Sequence, residues 1–303
     1  FKGVAAQLMP ARVMEPAGFV TRFAPSPTGL LHLGHAYSAL TAWDAAASAD
    51  GVCLLRIEDT DTARVRAEYE AAIYEDLRWL GLTWPEPVMR QSERHTAYAE
   101  ALTHLGRLGV TYPCRCTRAD IRCAIAAPQE GADPSPAASA VYPGTCRTRA
   151  MSEAGPSDAI RLNLDKALRI AEGQRLHWTE TGPVHAGCRT LDPTALREGV
   201  GDVVLARKDI GTAAYHLAVV VDDAAQGVTH IVRGEDLIEA TPIHRLLQAL
   251  LELPVPVWHH HALVRDEDGK RLAKRDDPRA IRTYRQAGLT PADIRHFSEN
   301  STR

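Results

Sequence analysis

Arg22-Phe23-Ala24-Pro25-Ser26-Pro27-Thr28-Gly29-Leu30-Leu31-His32-Leu33-Gly34-His35 is the stretch around which this 303-residue sequence is organised. The residues just ahead of it, from Val20, form a short strand-like run. Pro25, Pro27 and Gly29 then forbid regular structure and force a tight extended loop. From about Gly34 the chain turns helical, because His35, Ala36, Ser38, Ala39, Leu40, Ala42 and Trp43 suit a helix that lays a small-residue face on a sheet. Strand, stiff loop and helix N-terminus together present backbone N–H groups and a partial positive charge to an anion. His32 and His35, three residues apart, are placed to donate to a phosphate as charge builds on it. His-x-x-His alone is ordinarily a turn with two surface histidines; the Pro-Ser-Pro-Thr-Gly run in front makes this one specific.

Composition bounds the rest. With 45% hydrophobic and 24% charged residues the chain reads as ordinary soluble globular material, long enough for one large α/β domain and a smaller insertion. Its net charge of −3 gives no global basic field, so nucleic acid must be held by a local patch. No run approaches the ~18 apolar residues of a membrane span, and no signal-peptide pattern opens the chain. Six cysteines, clustered rather than spread, suggest a reducing compartment with metal or free thiols; the cytoplasm is the expected location, and no membrane is expected as a partner.

Residues 1–17, which begin with Phe and hold Pro10 and Pro16, read as an upstream extension. Val52-Cys53-Leu54-Leu55-Arg56-Ile57 is apolar enough for a buried parallel strand, and Glu58-Asp59-Thr60-Asp61 follows where open α/β sheets place ligands. Such an acidic run by itself is more often a solvated turn and helix cap. Residues 66–80 and 95–108 read as amphipathic scaffold helices ended by Gly81 and Gly109. Cys114 and Cys116, with Cys146 and the phenol of Tyr142 downstream, could converge on one zinc ion; the bland alternative is three free thiols in a loop-rich subdomain. Cys53 and Cys188 read as ordinary thiols. Short strand-like pieces at 160–164, 176–179 and 182–184 alternate with turns. Residues 202–206 are expected to return to the sheet, 215–223 are ambiguous between buried helix and strand, and 228–233 form a strand before an amphipathic helix at 241–251 that carries Pro242 in its first turn. Arg22, Glu58, Tyr215 and Arg233 are therefore each expected at or near a strand's carboxyl end.

Residues 22–35 resemble the first signature of class I aminoacyl-tRNA synthetases in the form used by glutamyl-tRNA synthetases. So do Arg56-Ile57-Glu58-Asp59-Thr60-Asp61, Arg90-Gln91-Ser92-Glu93-Arg94, Tyr215-His216 with residues 219–223, and Arg271-Leu272-Ala273-Lys274-Arg275, in order from about Val20 to about Ala280. The resemblance implies a class I Rossmann-type parallel sheet with a zinc-containing insertion and a short C-terminal helical, stem-contacting segment. Its expected divisions are 1–17, 18–111, 112–199 (the insertion, which approaches tRNA in the family), 200–256 and 257–303. It further implies glutamate held by Glu58 on its ammonium and by Arg22 and Arg233 on its carboxylates, with Ala24, Ser26 and Tyr215 adding contacts. Two cationic partners suit glutamate better than glutamine, whose amide would leave an arginine unpaired. Val219 stands where many glutamyl synthetases have Asn.

For ATP the resemblance points to Thr28, His32, Gly34, His35, Glu235, Arg271 and Lys274. His32, His35 and Lys274 would meet the charge that develops when glutamate attacks the α-phosphorus, with Mg²⁺ on the triphosphate. Arg271 stands where Lys is common and Ala273 where Ser is; Lys270 is a further candidate. Cys-x-Cys…Tyr-x-x-x-Cys resembles the glutamyl-Q branch of the family, which implies one structural zinc on Cys114, Cys116, Tyr142 and Cys146; Cys123 or water are alternatives to the tyrosine. Beyond Arg275 only about one helix remains where full glutamyl-tRNA synthetases continue into an anticodon-binding region. The expected reaction is thus activation of glutamate and its transfer to the queuosine base at the wobble position of tRNA(Asp). The alternatives are a truncated glutamyl-tRNA synthetase charging tRNA(Glu), a glutaminyl relative, and a non-catalytic RNA-binding paralogue.

Overall fold

The computed structural model describes residues 18–117, 119–121, 141–207, 213–264 and 280–300. Val20–Phe23 (β1) is followed by Leu33–Ser48 (α1) and Val52–Ile57 (β2), a β-α-β crossover in which β1 and β2 pair in parallel, Arg22 opposite Leu54. Ala67–Trp79 (α2) leads to Met89–Arg90 (β3), parallel to β2, and His95–Arg107 (α3) follows. Next come Thr111–Cys114 (β4), Ala159–Leu162 (β5), Leu164–Ile170 (α4), His177–Glu180 (β6), Gly187–Thr190 (β7), Pro193–Gly199 (α5) and Val204–Ala206 (β8). Tyr215–Ala225 (α6), His230–Gly234 (β9), Thr241–Leu250 (α7) and Val257–His261 (β10) form the second α/β half, before Ile281–Gln286 (α8) and Pro291–Asn300 (α9).

β9 and β10 pair in parallel over five residues, from His230 opposite Val257 to Gly234 opposite His261. β10 in turn pairs in parallel with β6, and β7 closes that edge as an antiparallel partner of β6. The two halves meet at β1: Thr229, just before β9, donates its N–H to the Val20 carbonyl and accepts the Val20 N–H on its hydroxyl, each at 2.9 Å. On α1 the small side chains of Ala36, Ala39, Ala42 and Ala46 are all buried, so the helix sits close on the sheet. One core lies between α1, α2 and β2 and takes in Ile281 and Ile294 from α8 and α9; a second surrounds α6 and α7, with Trp258 of β10 fully buried.

Several expectations from sequence need correction. Residues 215–223 are helix, and Tyr215 is the first residue of α6 rather than the end of a strand. The Leu217–Val221 run is buried all round, which is what a helix apolar on every face requires and what hid its period. Residues 202–206 return to a separate antiparallel sheet, β4-β5-β8, and not to the parallel one. Residues 182–184 are not a strand; the antiparallel partner of β6 is β7. The span read as strands and turns also holds α4 and α5. Each is started by a capping residue that strand periodicity does not register: Asn163 accepts from the Lys166 N–H, and Asp192 accepts from the Thr194 and Ala195 N–H groups with Pro193 behind it.

Candidate active site

A crevice of ≈ 410 Å³ opens at the carboxyl ends of β1, β2 and β9, large enough for a nucleotide-sized ligand. Arg22 and Phe23 enter it from β1, Glu58 from just beyond β2, Arg233 and Gly234 from β9, and Tyr215 and Val219 from α6. Ala24, Pro25, Ser26 and Thr28 form the wall between β1 and α1. All six residues expected for glutamate therefore line one cavity, as do Thr28, His32, Gly34 and His35 from the nucleotide set. Glu235 is half-buried and is not in the lining, whereas its neighbours Gly234 and Asp236 are. Arg271 and Lys274 lie outside the described residues, but the chain on either side does not stray: Leu263 and Val264 line the crevice, and Ala280 forms an antiparallel bridge with His32.

The N-terminus of α1 is built by its two histidines. His32 is the N-cap, accepting the Gly34 N–H on Nδ1 at 3.1 Å, while His35 Nδ1 accepts the His32 N–H at 3.2 Å. The rings lie with centroids 3.7 Å apart. Each ring thereby spends Nδ1 on the backbone, which fixes the neutral tautomer with Nε2–H as the remaining donor.

Charge in the crevice is arranged from behind by Asp222 and Asp223 near the end of α6. Asp223 Oδ1 accepts from Arg22 Nε at 3.0 Å and from Arg56 Nη1 at 2.7 Å. Arg56, fully buried on β2, also reaches Glu58 Oε1 at 3.2 Å. Burial raises the Glu58 carboxyl above its usual range against the opposing pull of Arg56 and Arg22. Burial would likewise raise Asp223, but Arg22 and Arg56 hold it below the usual carboxylate range. Asp222 accepts from Gln91 Nε2 (3.0 Å), Arg94 Nε (3.1 Å) and Tyr98 OH (2.7 Å), and Asp59 accepts from the Ser92 N–H and hydroxyl. The sequence stretches 56–61, 90–94 and 219–223 are thus three parts of one buried network.

Arg233 differs from Arg22 and Arg56. It is 5% exposed, and its hydrogen-bond acceptors among the described residues are all neutral: His260 Nε2 (3.0 Å), Thr241 Oγ1 (2.8 Å), the Leu237 carbonyl (3.1 Å), His244 Nδ1 (3.3 Å) and Tyr215 OH (3.4 Å). No carboxylate among the described residues pairs with it.

At a second place, Cys114 at the end of β4, Cys116 and Cys146 bring their three Sγ atoms within 4.8 Å of one another. Cys116 and Cys146 are 3.6 Å apart, and Tyr142 OH stands 3.4 Å from Cys114 Sγ and 3.5 Å from Cys116 Sγ. A tetrahedral zinc with thiolates at about 2.3 Å and an oxygen at about 2.0 Å has ligand edges of about 3.8 Å between sulfurs and about 3.5 Å from sulfur to oxygen. The three thiols suit the ion in type, and the 3.6 Å sulfur pair and the two sulfur–oxygen distances match these edges. Arg161 stacks over the Tyr142 ring at 3.9 Å, holding the phenol in place.

The model of the family described as tRNA synthetases class I (E and Q), catalytic domain, matches residues 19–299. Over 281 residues the chain is 54% identical to a glutamyl-Q tRNA(Asp) synthetase of Rhodobacter capsulatus, covering 92% of this chain and 99% of that one. The chain belongs to the glutamyl-Q tRNA(Asp) synthetase family. A second member, from Nocardia farcinica, is 42% identical over 94% of this chain and 85% of its own. Among solved structures, a glutamate tRNA ligase from Elizabethkingia meningosepticum in complex with its amino acid superposes with a TM-score of 0.67 at 26% identity; 86% of this chain covers 52% of that ligase, about half its length. The chain therefore has the class I synthetase α/β fold and is an aminoacyl-tRNA synthetase-like ligase. Among its described residues no helix is long and apolar enough to cross a membrane.

Several pocket residues of this synthetase-family fold were not legible in advance. Tyr37 and Ser38 follow the histidine pair one helical turn on, and helical spacing from His35 could have placed them. His261, which ends β10 and contacts Ser38 Oγ at 3.1 Å, carries no local signal, nor do Glu180 and His260 behind Arg233.

Proposed function

We propose that the chain activates glutamate with ATP, giving glutamyl-adenylate and pyrophosphate, and transfers the glutamyl group to the queuosine base at the wobble position of tRNA(Asp). The observation that carries the amino-acid choice is Arg233: a buried guanidinium with only neutral acceptors among the described residues retains its positive charge for a ligand carboxylate. Arg22 faces the same crevice, and Glu58 is the anion for the ammonium. An α-amino acid with a second carboxylate neutralises this set, and an amide does not. The RNA choice is supported by the relatives at 54% and 42% identity, whose names specify glutamyl-Q tRNA(Asp).

In the first step, the Nε2–H groups of His32 and His35 and the α1 N-terminus receive the charge that builds on the phosphoryl oxygens, and Lys274, outside the described residues, would join them. Mg²⁺ on the triphosphate supplies further charge neutralisation. No side chain need form a covalent intermediate. Cys114, Cys116, Tyr142 and Cys146 would hold one structural zinc that ties the end of β4 to the segment containing Tyr142 and Cys146.

The test is transfer of labelled glutamate to purified tRNA(Asp) with and without queuosine, beside tRNA(Glu), together with glutamate-dependent ATP–pyrophosphate exchange. Labelling of the queuosine-bearing tRNA(Asp) alone is expected. Labelling of tRNA(Glu) would replace the proposal with a translation enzyme, and absence of both exchange and transfer with a non-catalytic paralogue.

A further inference from the structure

We propose that Glu180 and His260 are positioning residues that fix the direction and the uncompensated charge of Arg233, and so set the preference of the crevice for an anionic side chain. The inference rests on the glutamate-binding role given above to Arg233. Both residues are buried, Glu180 at the end of β6 and His260 on β10, and neither lines the crevice. They come together because β6 pairs in parallel with β10, a pairing not visible in the sequence.

The hydrogen-bond chain has one consistent proton arrangement. Arg233 Nε can only donate, so His260 Nε2, 3.0 Å away, must be an unprotonated acceptor. The ring proton therefore lies on Nδ1 and is donated to Glu180 Oε2 at 2.6 Å. Glu180 Oε1 is occupied by the His260 N–H (3.0 Å) and the Gly182 N–H (2.7 Å). A carboxylate is required at this point because three N–H donors converge on its two oxygens. Gly182 is required too: a Cβ there would stand 2.3 Å from the His260 carbonyl oxygen and 2.8 Å from Glu180 Oε1. Thr241 Oγ1 accepts from Arg233 Nη2 at 2.8 Å and lies 3.4 Å from His260 Nε2, completing the clamp. The protonation the geometry demands agrees with the ring's environment: burial, and then the Arg233 charge, lower the His260 pKa to about 4, so the ring is neutral at physiological pH.

The consequence is a division of labour between the two arginines. Arg22 gives its Nε to a carboxylate, Asp223, and shares that anion with Arg56. Arg233 gives its Nε to a neutral imidazole whose own proton is absorbed by a carboxylate one residue further back. The Glu180 charge thus fixes the tautomer without pairing with Arg233. A direct carboxylate in place of His260 would cancel the charge that a ligand carboxylate needs.

The variants Glu180→Gln and His260→Gln separate this from a packing role. In Glu180→Gln an NH₂ group must face one of the three N–H donors. If it faces the ring, the ring proton moves to Nε2 and opposes Arg233 Nε–H; if it faces the backbone, the turn at Gly182 is pushed open. Glutamate-dependent ATP–pyrophosphate exchange is expected to give a KM for glutamate raised roughly tenfold or more, with kcat and the KM for ATP within about twofold of the parent. The ratio of glutamate to glutamine use is expected to fall. His260→Gln keeps an acceptor oxygen and should be milder than His260→Leu. An unchanged KM for glutamate in Glu180→Gln overturns the proposal, and so does an equal loss across kcat and both KM values. A second readout needs no variant to be active: the ¹⁵N histidine spectrum of the unaltered protein, with His260 assigned by its absence in His260→Gln, should show an Nδ1-protonated neutral ring. An Nε2-protonated ring overturns the relay. If the unaltered protein shows no glutamate-dependent exchange, the functional proposal fails, while the spectrum still decides the relay.

Discussion

Replacing Asp223 by Asn removes one charge and almost no volume, and its cost can be worked from the structure. Asp223 Oδ1 receives Arg22 Nε at 3.0 Å and Arg56 Nη1 at 2.7 Å, joining two strands of the first half to a helix of the second across 201 and 167 residues of sequence. The Arg56 side chain is 0% exposed, so its guanidinium cannot turn to water, and that of Arg22, 7% exposed, meets solvent through the crevice. After the change, Arg56 keeps Glu58 at 3.2 Å and Arg22 keeps the Val232 carbonyl at 3.4 Å. Breaking a buried pair costs about 3–5 kcal/mol, and an amide oxygen recovers about 1 kcal/mol, leaving a net loss of ~2–4 kcal/mol. At roughly 2 °C per kcal/mol for a chain of this size, the melting temperature should fall by about 4–8 °C. Glu58 then becomes the main anion for Arg56 and is drawn from the crevice, so the KM for glutamate should rise as well. Because the folded Asp223 is held below its ordinary 3.8, its contribution is complete above that value and is lost as pH falls through the folded one. The melting difference between the two proteins should therefore stay constant from pH 8 to about pH 5. Thermal melts of both proteins across that range provide the measurement, with pyrophosphate exchange beside it. A melting temperature within 1 °C of the parent, or a difference that shrinks toward pH 5, would refute the reasoning.

Three further outcomes follow from other sites. Glu58 must be ionised to hold an ammonium, and burial sets its carboxyl above the ordinary 4.5; glutamate binding measured by calorimetry should weaken as pH falls through a window above 4.5, and Glu58→Gln should abolish that dependence along with most of the affinity. Asp76 on α2 is fully buried, neither of its carboxylate oxygens has a hydrogen-bond partner among the described residues, and burial, opposed by Arg285, raises it from 3.8 to about 6. The fold holds a proton there that the unfolded chain has released, so stability falls as pH rises from 3.8 to about 6, and Asp76→Asn should gain at most ~3 kcal/mol at pH 7 and nothing near pH 4 in chemical denaturation. Protein made in zinc-containing medium should carry one zinc per chain by metal analysis, a content that Cys114→Ala loses and Cys53→Ser, a buried thiol outside the cluster, retains.

Local chemistry carried much of this protein in plain sight. The Pro-Ser-Pro-Thr-Gly loop, the histidine pair and the apolar run ending in Glu58 announce a strand, a stiff loop and a helix N-terminus because proline, glycine and capping side chains act on their own neighbours. The Cys-x-Cys spacing and the downstream Tyr-x-x-x-Cys are likewise local, and the four side chains do meet. What those residues could not disclose is which charges cancel. Arg22 and Arg233 look alike in the sequence, yet one is paired with Asp223 and the other is left without an anion among the described residues. That difference depends on α6 being a helix rather than a strand, and on β6 docking beside β10 so that Glu180 can reach His260. The sequence by itself determined the kinds of group available and their nearest neighbours. The tertiary structure decided how strongly each buried charge is compensated, because that is a matter of long-range juxtaposition in a low-dielectric interior, where a partner some eighty or two hundred residues away matters more than the residues alongside.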